Sequence, residues 1–236
     1  MNSPTYQNIK NILANGSYEL RGQFMLGSNY TFLVDVQHEG ERIKAVYKPS
    51  KGEQPLWDFP ENTLALREVA AYELSEALGL HIVPVTVYRD DGPYGPGSLQ
   101  QYIDYDIEYH YFNFSVEDRQ LLRPVVLFDY LANNADRKGS HIFFEDETKR
   151  LYAIDHGICF HEEYKLRTVL WDFAGQPIPD ELLAPLSSTE GWLSLFERYL
   201  SPNEIAALIQ RAEELRQTKL FPQPIHGRRS YPYPPV

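Results

Sequence analysis

Cysteine occurs once in the 236 residues, at position 159, so no intrachain disulfide can form and the chain reads as one made for a reducing compartment. Positive charge is also short. Lysine and arginine total 22 against 33 aspartates and glutamates, a formal charge of -11, which disfavours nonspecific attraction to nucleic acid or an anionic membrane. The first residues lack the basic and apolar blocks of a secretory leader, and no run approaches the roughly 18 uninterrupted apolar residues of a spanning helix. No H-E-x-x-H pair or other compact ligand spacing is found, which counts against a protein-held metal centre. These absences leave a globular, cytoplasmic protein as the expectation. A hydrophobic content of 43%, with 14% aromatic, is enough for a substantial core.

The pattern of elements changes along the chain. Ser3-Pro4 reads as a helix entry and Asn15-Gly16 as its stop. Alternation at Tyr18, Leu20, Phe24 and Leu26, at Tyr30, Phe32, Val34 and Val36, and over 43–47 predicts three antiparallel strands. A Pro/Gly/Trp-rich loop over 49–61 precedes Thr63, the expected cap of a helix over 64–78 closed by Gly79. Strands are expected over 83–88 and 98–103 around a tight Gly/Pro loop at 90–97. The acidic, tyrosine-rich stretch 104–113 reads as a linker. Beyond it the pattern turns helical, from the Ser115 cap with Asp118 in capping-box position, through the break at Pro124, to Ala132. After an irregular segment over 162–177, two or three helices follow. The last is signalled by Ser201-Pro202-Asn203-Glu204, an N-cap with proline in the first turn and a glutamate three residues on. The Tyr/Pro-rich end, 228–236, reads as an extended segment docked on the domain or as a polyproline-type ligand for a partner. Trp57-Asp58-Phe59 recurs at Trp171-Asp172-Phe173 without longer similarity, so there is no internal repeat. The expected class is α+β, with a five-stranded antiparallel sheet and one long helix over 1–103 and a mainly helical half over 104–236.

The chemistry concentrates in 133–160. The sequence N-N-A-D-R-K-G-S-H-I-F-F leads, through a charged turn, into L-Y-A-I-D-H-G-I-C-F, which puts Asp136 and Asp155 at the mouths of two short apolar strands. Paired acids on a rigid hairpin suit a hard divalent cation and a phosphate, because oxygen ligands must meet such a cation at nearly fixed distance. Upstream, Lys48 ends an apolar strand before Pro49, and Glu68 lies on the long helix, where it reaches the lysine if it faces the sheet. In isolation a strand-end lysine and a helix glutamate are usually solvated surface groups. Lys48, Glu68, Asp136, His141 and Asp155 in that order, on strand, helix, loop, loop end and strand end, match what phosphoryl transfer from ATP requires.

On A-V-Y-K-P at 45–49, R-E-V-A-A-Y at 67–72, G-S-L-Q-Q-Y at 97–102, N-N-A-D-R-K at 133–138 and A-I-D-H-G-I-C-F at 153–160, the chain resembles the phosphatidylinositol 3-/4-kinase-like branch of the protein-kinase-like fold. The likeness extends to its small bacterial members and type II phosphatidylinositol 4-kinases, and more distantly to HipA-type kinases, and it covers roughly residues 20–160. It implies a two-lobed kinase-like fold using ATP with magnesium or manganese. Lys48 is then expected to grip the phosphates, Glu68 to support it, and the Gly27-Ser28 turn to approach the phosphates. Gln100, Gln101 and Tyr102 line the adenine pocket through backbone groups. Asp136 serves as base or orienter of the acceptor hydroxyl, Arg137 supports the loop or a phosphate, and Asp155 is the principal metal ligand. At the second metal position, where the family usually carries asparagine, this chain has His141. Imidazole prefers softer ions than magnesium, so manganese, a single-metal mechanism and lost catalysis all stay open.

The expected reaction moves the γ-phosphate of ATP to a hydroxyl of a protein or a small soluble molecule. A lipid head group is not supported, since Lys165 and Arg167 are offset by Glu162, Glu163 and Asp172 in the presumptive acceptor loop. A nucleotide-binding scaffold and adenylate transfer to a protein remain as alternatives, as does a metal-dependent hydrolase drawing on Asp136, His141, Asp155, His156 and His161.

Overall fold

The computed structural model describes residues 6–24 and 30–236. The first helix, α1 (Tyr6–Asn15), buries Ile9, Ile12 and Leu13 on one face. It stops at Gly16, where a Cβ would come within 2.5 Å of Val36 and 2.7 Å of the Ile12 carbonyl, so only glycine lets the chain turn here. Three strands follow, β1 (Ser17–Gln23), β2 (Phe32–His38) and β3 (Glu41–Pro49). Alternation holds on β2 and β3 but not on the edge strand β1, where Leu20 and, just beyond it, Phe24 are exposed. Phe32, Val34 and Val36 are buried on β2, as are Ala45 and Tyr47 on β3, which turns Lys48 to the opposite face.

The long helix α2 (Leu64–Ala77) is buried around most of its circumference, including Arg67 and Glu68, because both the sheet and the helical half cover it. Thr63 takes the cap position, but its hydroxyl donates to the Pro60 carbonyl. The orphan N–H groups of Leu64 and Ala65 go to the Glu53 carboxylate, at 3.1 and 2.8 Å. The stretch expected as a loop at 90–97 is mostly strand. β4 (Thr86–Gly92) and β5 (Gly95–Gln101) run antiparallel through it and turn at Pro93-Tyr94. Its glycines serve packing: Cβ atoms at Gly92 and Gly97 would meet the Tyr47 ring and the Lys48 carbonyl, each at 2.4 Å. The sheet order is β1-β2-β3-β5-β4.

Tyr105 in 104–113 makes a β-bridge to Glu145 and stacks on Phe143 with ring centroids 3.7 Å apart, pinning the stretch expected as a linker. Next come α3 (Val116–Gln120), capped by Ser115, and α4 (Arg123–Leu131), with Pro124 in its first turn. The hairpin β6 (Ile142–Phe144) and β7 (Leu151–Ala153) is as expected. It is followed by α5 (Asp180–Leu183), α6 (Trp192–Phe196) and α7 (Pro202–Thr218), the last closed by the Ser201/Glu204 capping box. One hydrophobic core runs from Ile9 to Phe221 through both halves. A smaller cluster of Ile103, Phe143 and Tyr152 sits where β5 passes into the helical half. The segment 228–236 is docked, with Thr168 donating to the Ser230 carbonyl. No helix among the described residues is long and apolar enough to cross a membrane.

Candidate active site

The end of β3, the first half of α2 and the end of β7 converge on one ammonium group. Lys48 Nζ contacts Glu68 Oε1 and lies 3.0 Å from Asp155 Oδ1. Burial works against the lysine charge, but Asp155 and Glu68 outweigh it and hold the pKa above the ordinary lysine value. The same ion pair, opposed by desolvation, pulls the Asp155 carboxyl well below the usual carboxylate range. Glu68 is 3% exposed, and its second oxygen accepts the His156 backbone N–H at 3.0 Å. Asp155 itself has φ +63°, a left-handed backbone that a non-glycine residue keeps only where its surroundings enforce it. Here the enforcement comes from Lys48 on its carboxylate and Glu68 on the next N–H. Half of the Asp155 side-chain surface stays open to solvent.

His141 reaches the same carboxylate from the other side, with Nε2 3.3 Å from Asp155 Oδ2. Burial, only partly opposed by Asp155, pushes its pKa down to about 4, so the ring is neutral near pH 7. The carboxylate favours the tautomer with the proton on Nε2. Nδ1 is buried with no partner among the described residues, so moving the proton there to free Nε2 for a metal would strand a donor, at roughly 1–3 kcal/mol.

Asp136 sits on a loop that is fixed from below. The Asn134 side chain accepts the Asp136 N–H at 2.9 Å and donates to Asp129 at 3.0 Å. Asn133, also left-handed, donates to the His161 and Glu163 carbonyls and accepts from the Lys165 N–H. Burial raises the Asp136 pKa, against Lys138, whose Nζ is 3.6 Å away. The carboxyl remains partly open, at 32% of its side-chain surface.

Of the two roles expected of Arg137, support of the loop or of a phosphate, its surroundings fit the first. Its side chain is fully buried, paired with Asp129 at 2.9 Å, and it donates to the Ile154 carbonyl at 2.7 Å and contacts His156 Nε2 at 2.7 Å. It cannot also meet a phosphate. It is a positioning residue that ties the Asp136 loop to the strand delivering Asp155. On the side expected to hold adenine, two backbone N–H groups are already engaged. Gln101 and Tyr102 already donate their N–H groups to the Val85 and Lys44 carbonyls, at 2.8 and 3.1 Å, because β5 is paired on both edges. The Gln100 amide is buried against Thr86. The next backbone N–H belongs to Ile103, beside the Phe143 and Tyr152 cluster. Gly27 and Ser28 lie outside the described residues. Among the described residues, no group of three or more His, Cys, Asp or Glu side chains could hold a metal ion, so the five residues of the hydrolase alternative do not assemble.

Sequence reasoning missed Asp129, Lys138 and the His156 backbone. Asp129 did leave a signal, being the one acid inside the apolar run Val125 to Leu131, where a carboxylate needs a buried cation.

No protein-family model matches the sequence. Protein Rv2133c of Mycobacterium tuberculosis is 36% identical, with 94% of each chain covered. Two solved structures share the fold at 12% identity. The proinflammatory kinase CtkA of Helicobacter pylori aligns with a TM-score of 0.54 over 89% of this chain and 94% of its own. Hydra Fam20, determined with sugar, aligns with a TM-score of 0.57 over 90% and 87%. The fold is therefore α+β and kinase-like.

Proposed function

The chain belongs to the family of protein Rv2133c of Mycobacterium tuberculosis, and from its kinase-like fold and the geometry of its cleft we propose that it is an ATP-dependent phosphotransferase. The observation that carries this is the Lys48 ammonium, held between Glu68 and Asp155, with Asp136 near enough to Asp155 for the two carboxylates to interact. Residues 1–103 form the nucleotide half in this reading and 104–236 the half that holds the acceptor. The resemblance to phosphatidylinositol 3-/4-kinase-like and HipA-type enzymes fits the same four residues.

In the proposed reaction, an acceptor hydroxyl attacks the γ-phosphorus as the bond to the β,γ-bridging oxygen breaks and ADP leaves. Asp136 takes the hydroxyl proton, and burial, which raises its pKa, makes it a stronger base than an exposed carboxylate. Lys48 balances charge on the phosphate oxygens in a site where ionic interactions count for more than in water. Lys138, beside Asp136, adds a second cation on the acceptor side. Magnesium usually keeps several waters and takes one or two carboxylates plus substrate phosphates. The half-open Asp155 fits that need, and when bound the ion supplies Lewis-acid neutralisation of the phosphate oxygens. His141 in its favoured tautomer holds the Asp155 carboxylate in place and need not be a ligand. The acceptor is a hydroxyl of a protein or of a small soluble molecule.

Incubation with γ-labelled and α-labelled ATP tests this reading. Asp155→Ala is expected to abolish metal-dependent nucleotide binding. Asp136→Ala should keep it while transfer falls by about 10²–10⁴-fold. Turnover that survives intact in Asp136→Ala would overturn the mechanism. Transfer of the α-label identifies an adenylate transferase, and binding without turnover in either metal identifies a scaffold.

A further inference from the structure

The segment 228–236 crosses the face of the helical half next to Asp136, and it is held there by its main chain. Thr168 N–H and the Trp171 indole N–H both donate to the Ser230 carbonyl, at 3.1 and 3.2 Å, and Gly139 N–H donates to the Pro235 carbonyl at 2.8 Å. Gly139 is three residues beyond Asp136, while Thr168 pairs by a parallel bridge with Arg137. The strap is therefore fastened to both segments that border Asp136. At Gly139 a Cβ would stand 2.7 Å from the Phe112 ring, so glycine keeps the N–H accessible beside an aromatic floor that is itself partly exposed. Pro232 is buried, while Tyr231 and Tyr233 face solvent at 54% and 82% exposure. Arg229, whose Nε donates to the Tyr231 carbonyl, also favours the charged form of Asp136.

All three donors take carbonyl oxygens, and none reads a side chain. Donors spaced along aromatic walls suit an extended, proline-containing polypeptide, and the burial of Pro232 adds a side-chain contact to the main-chain ones. A small alcohol has no use for them. We propose that this face is a docking groove for an extended polypeptide and that 228–236 is its intramolecular occupant. The acceptor is then a protein hydroxyl, admitted when the strap is displaced. That last step rests on the phosphotransferase reading; the groove does not. In the transfer step the hydroxyl oxygen bonds the γ-phosphorus, the bridging P–O bond breaks, Asp136 receives the proton and ADP departs.

The test uses a fluorescein-labelled peptide of residues 228–236, without nucleotide, against the full-length chain and two full-length variants. One is Pro232→Asp, which undocks the buried proline. The other replaces 230–235 with alternating glycine and serine, and it decides the matter if the first fails to melt cooperatively. A tethered occupant competes at an effective concentration near the millimolar range, so the peptide should bind the variants about 100-fold more tightly than the unmodified chain. Equal affinity for all three chains, or no binding to a cooperatively melting variant, overturns the groove. Peptide binding with no nucleotide turnover overturns the phosphotransferase reading and leaves the groove standing. Turnover without peptide binding does the reverse.

Discussion

Single residues here divide by burial more than by chemical type. Arg137 and Lys48 are both cations beside the cleft, yet only Lys48 presents its charge to it, since Arg137 is enclosed by Asp129, the Ile154 carbonyl and His156. Removing one partner of a buried ion pair leaves an uncompensated charge, at about 3–5 kcal/mol. Arg137→Ala should therefore lower the melting temperature by roughly 10 °C. A variant that melts normally but has lost turnover would restore a direct catalytic role. His141 carries the opposite expectation. If it orients Asp155 and binds no metal, His141→Ala keeps magnesium-nucleotide affinity within about threefold, roughly 0.65 kcal/mol by the affinity arithmetic. A loss beyond tenfold in titration calorimetry makes it a ligand. Cys159 is fully buried, burial raises its thiol pKa, and its carbonyl accepts from Arg67. It should stay unreactive to thiol reagents until the chain unfolds, and mass spectrometry of the alkylated native protein checks this. The meeting of Lys48, Glu68 and Asp155 could be anticipated because their order along the chain is itself a pattern. The burial of Arg137 was not, because its partner lies eight residues back on a helix that the loop must fold against.

Elements follow the same logic of local against distant contacts. The start of α7 could be read directly, since Ser201 and Glu204 cap each other within four residues. The cap of α2 could not, because the carboxylate that serves it belongs to Glu53, eleven residues before Leu64. Glu53→Ala should cost about 0.5–2 kcal/mol, the usual value of an N-cap. Thr63→Ala, which removes a hydroxyl bound to the Pro60 carbonyl, should cost less. Urea titration of both variants checks the order, and a larger loss at Thr63 would contradict the assignment. The misread loop at 90–97 has a similar cause. Gly92 and Gly97 signal a turn in the sequence, but the space they yield is filled by Tyr47 and the β3 backbone.

At the scale of the molecule, the sheet and the helical half share one core, and a buried ion pair joins them. Arg67 on α2 contacts Glu204 at the start of α7 and donates to the Cys159 carbonyl at 2.7 Å, with 1% of its side chain exposed. Unfolding should accordingly be a single transition. Far-ultraviolet dichroism and tryptophan fluorescence are expected to coincide, and Glu204→Ala should move both to lower temperature by the same amount. Two separated transitions would show that the halves fold independently. Composition and periodicity indicated the sheet-then-helix order of this architecture. They could not show the Arg67–Glu204 contact, which spans 137 positions of sequence.

Glu68 has two oxygens and two obligations, one to the Lys48 ammonium and one to the His156 N–H. Lys48 and the backbone behind Asp155 are thus wired to one carboxylate, and the proposed nucleotide site behaves as a logical AND. A rotation of α2 that withdrew Glu68 would leave Lys48 with Asp155 alone and free the His156 N–H in the same movement.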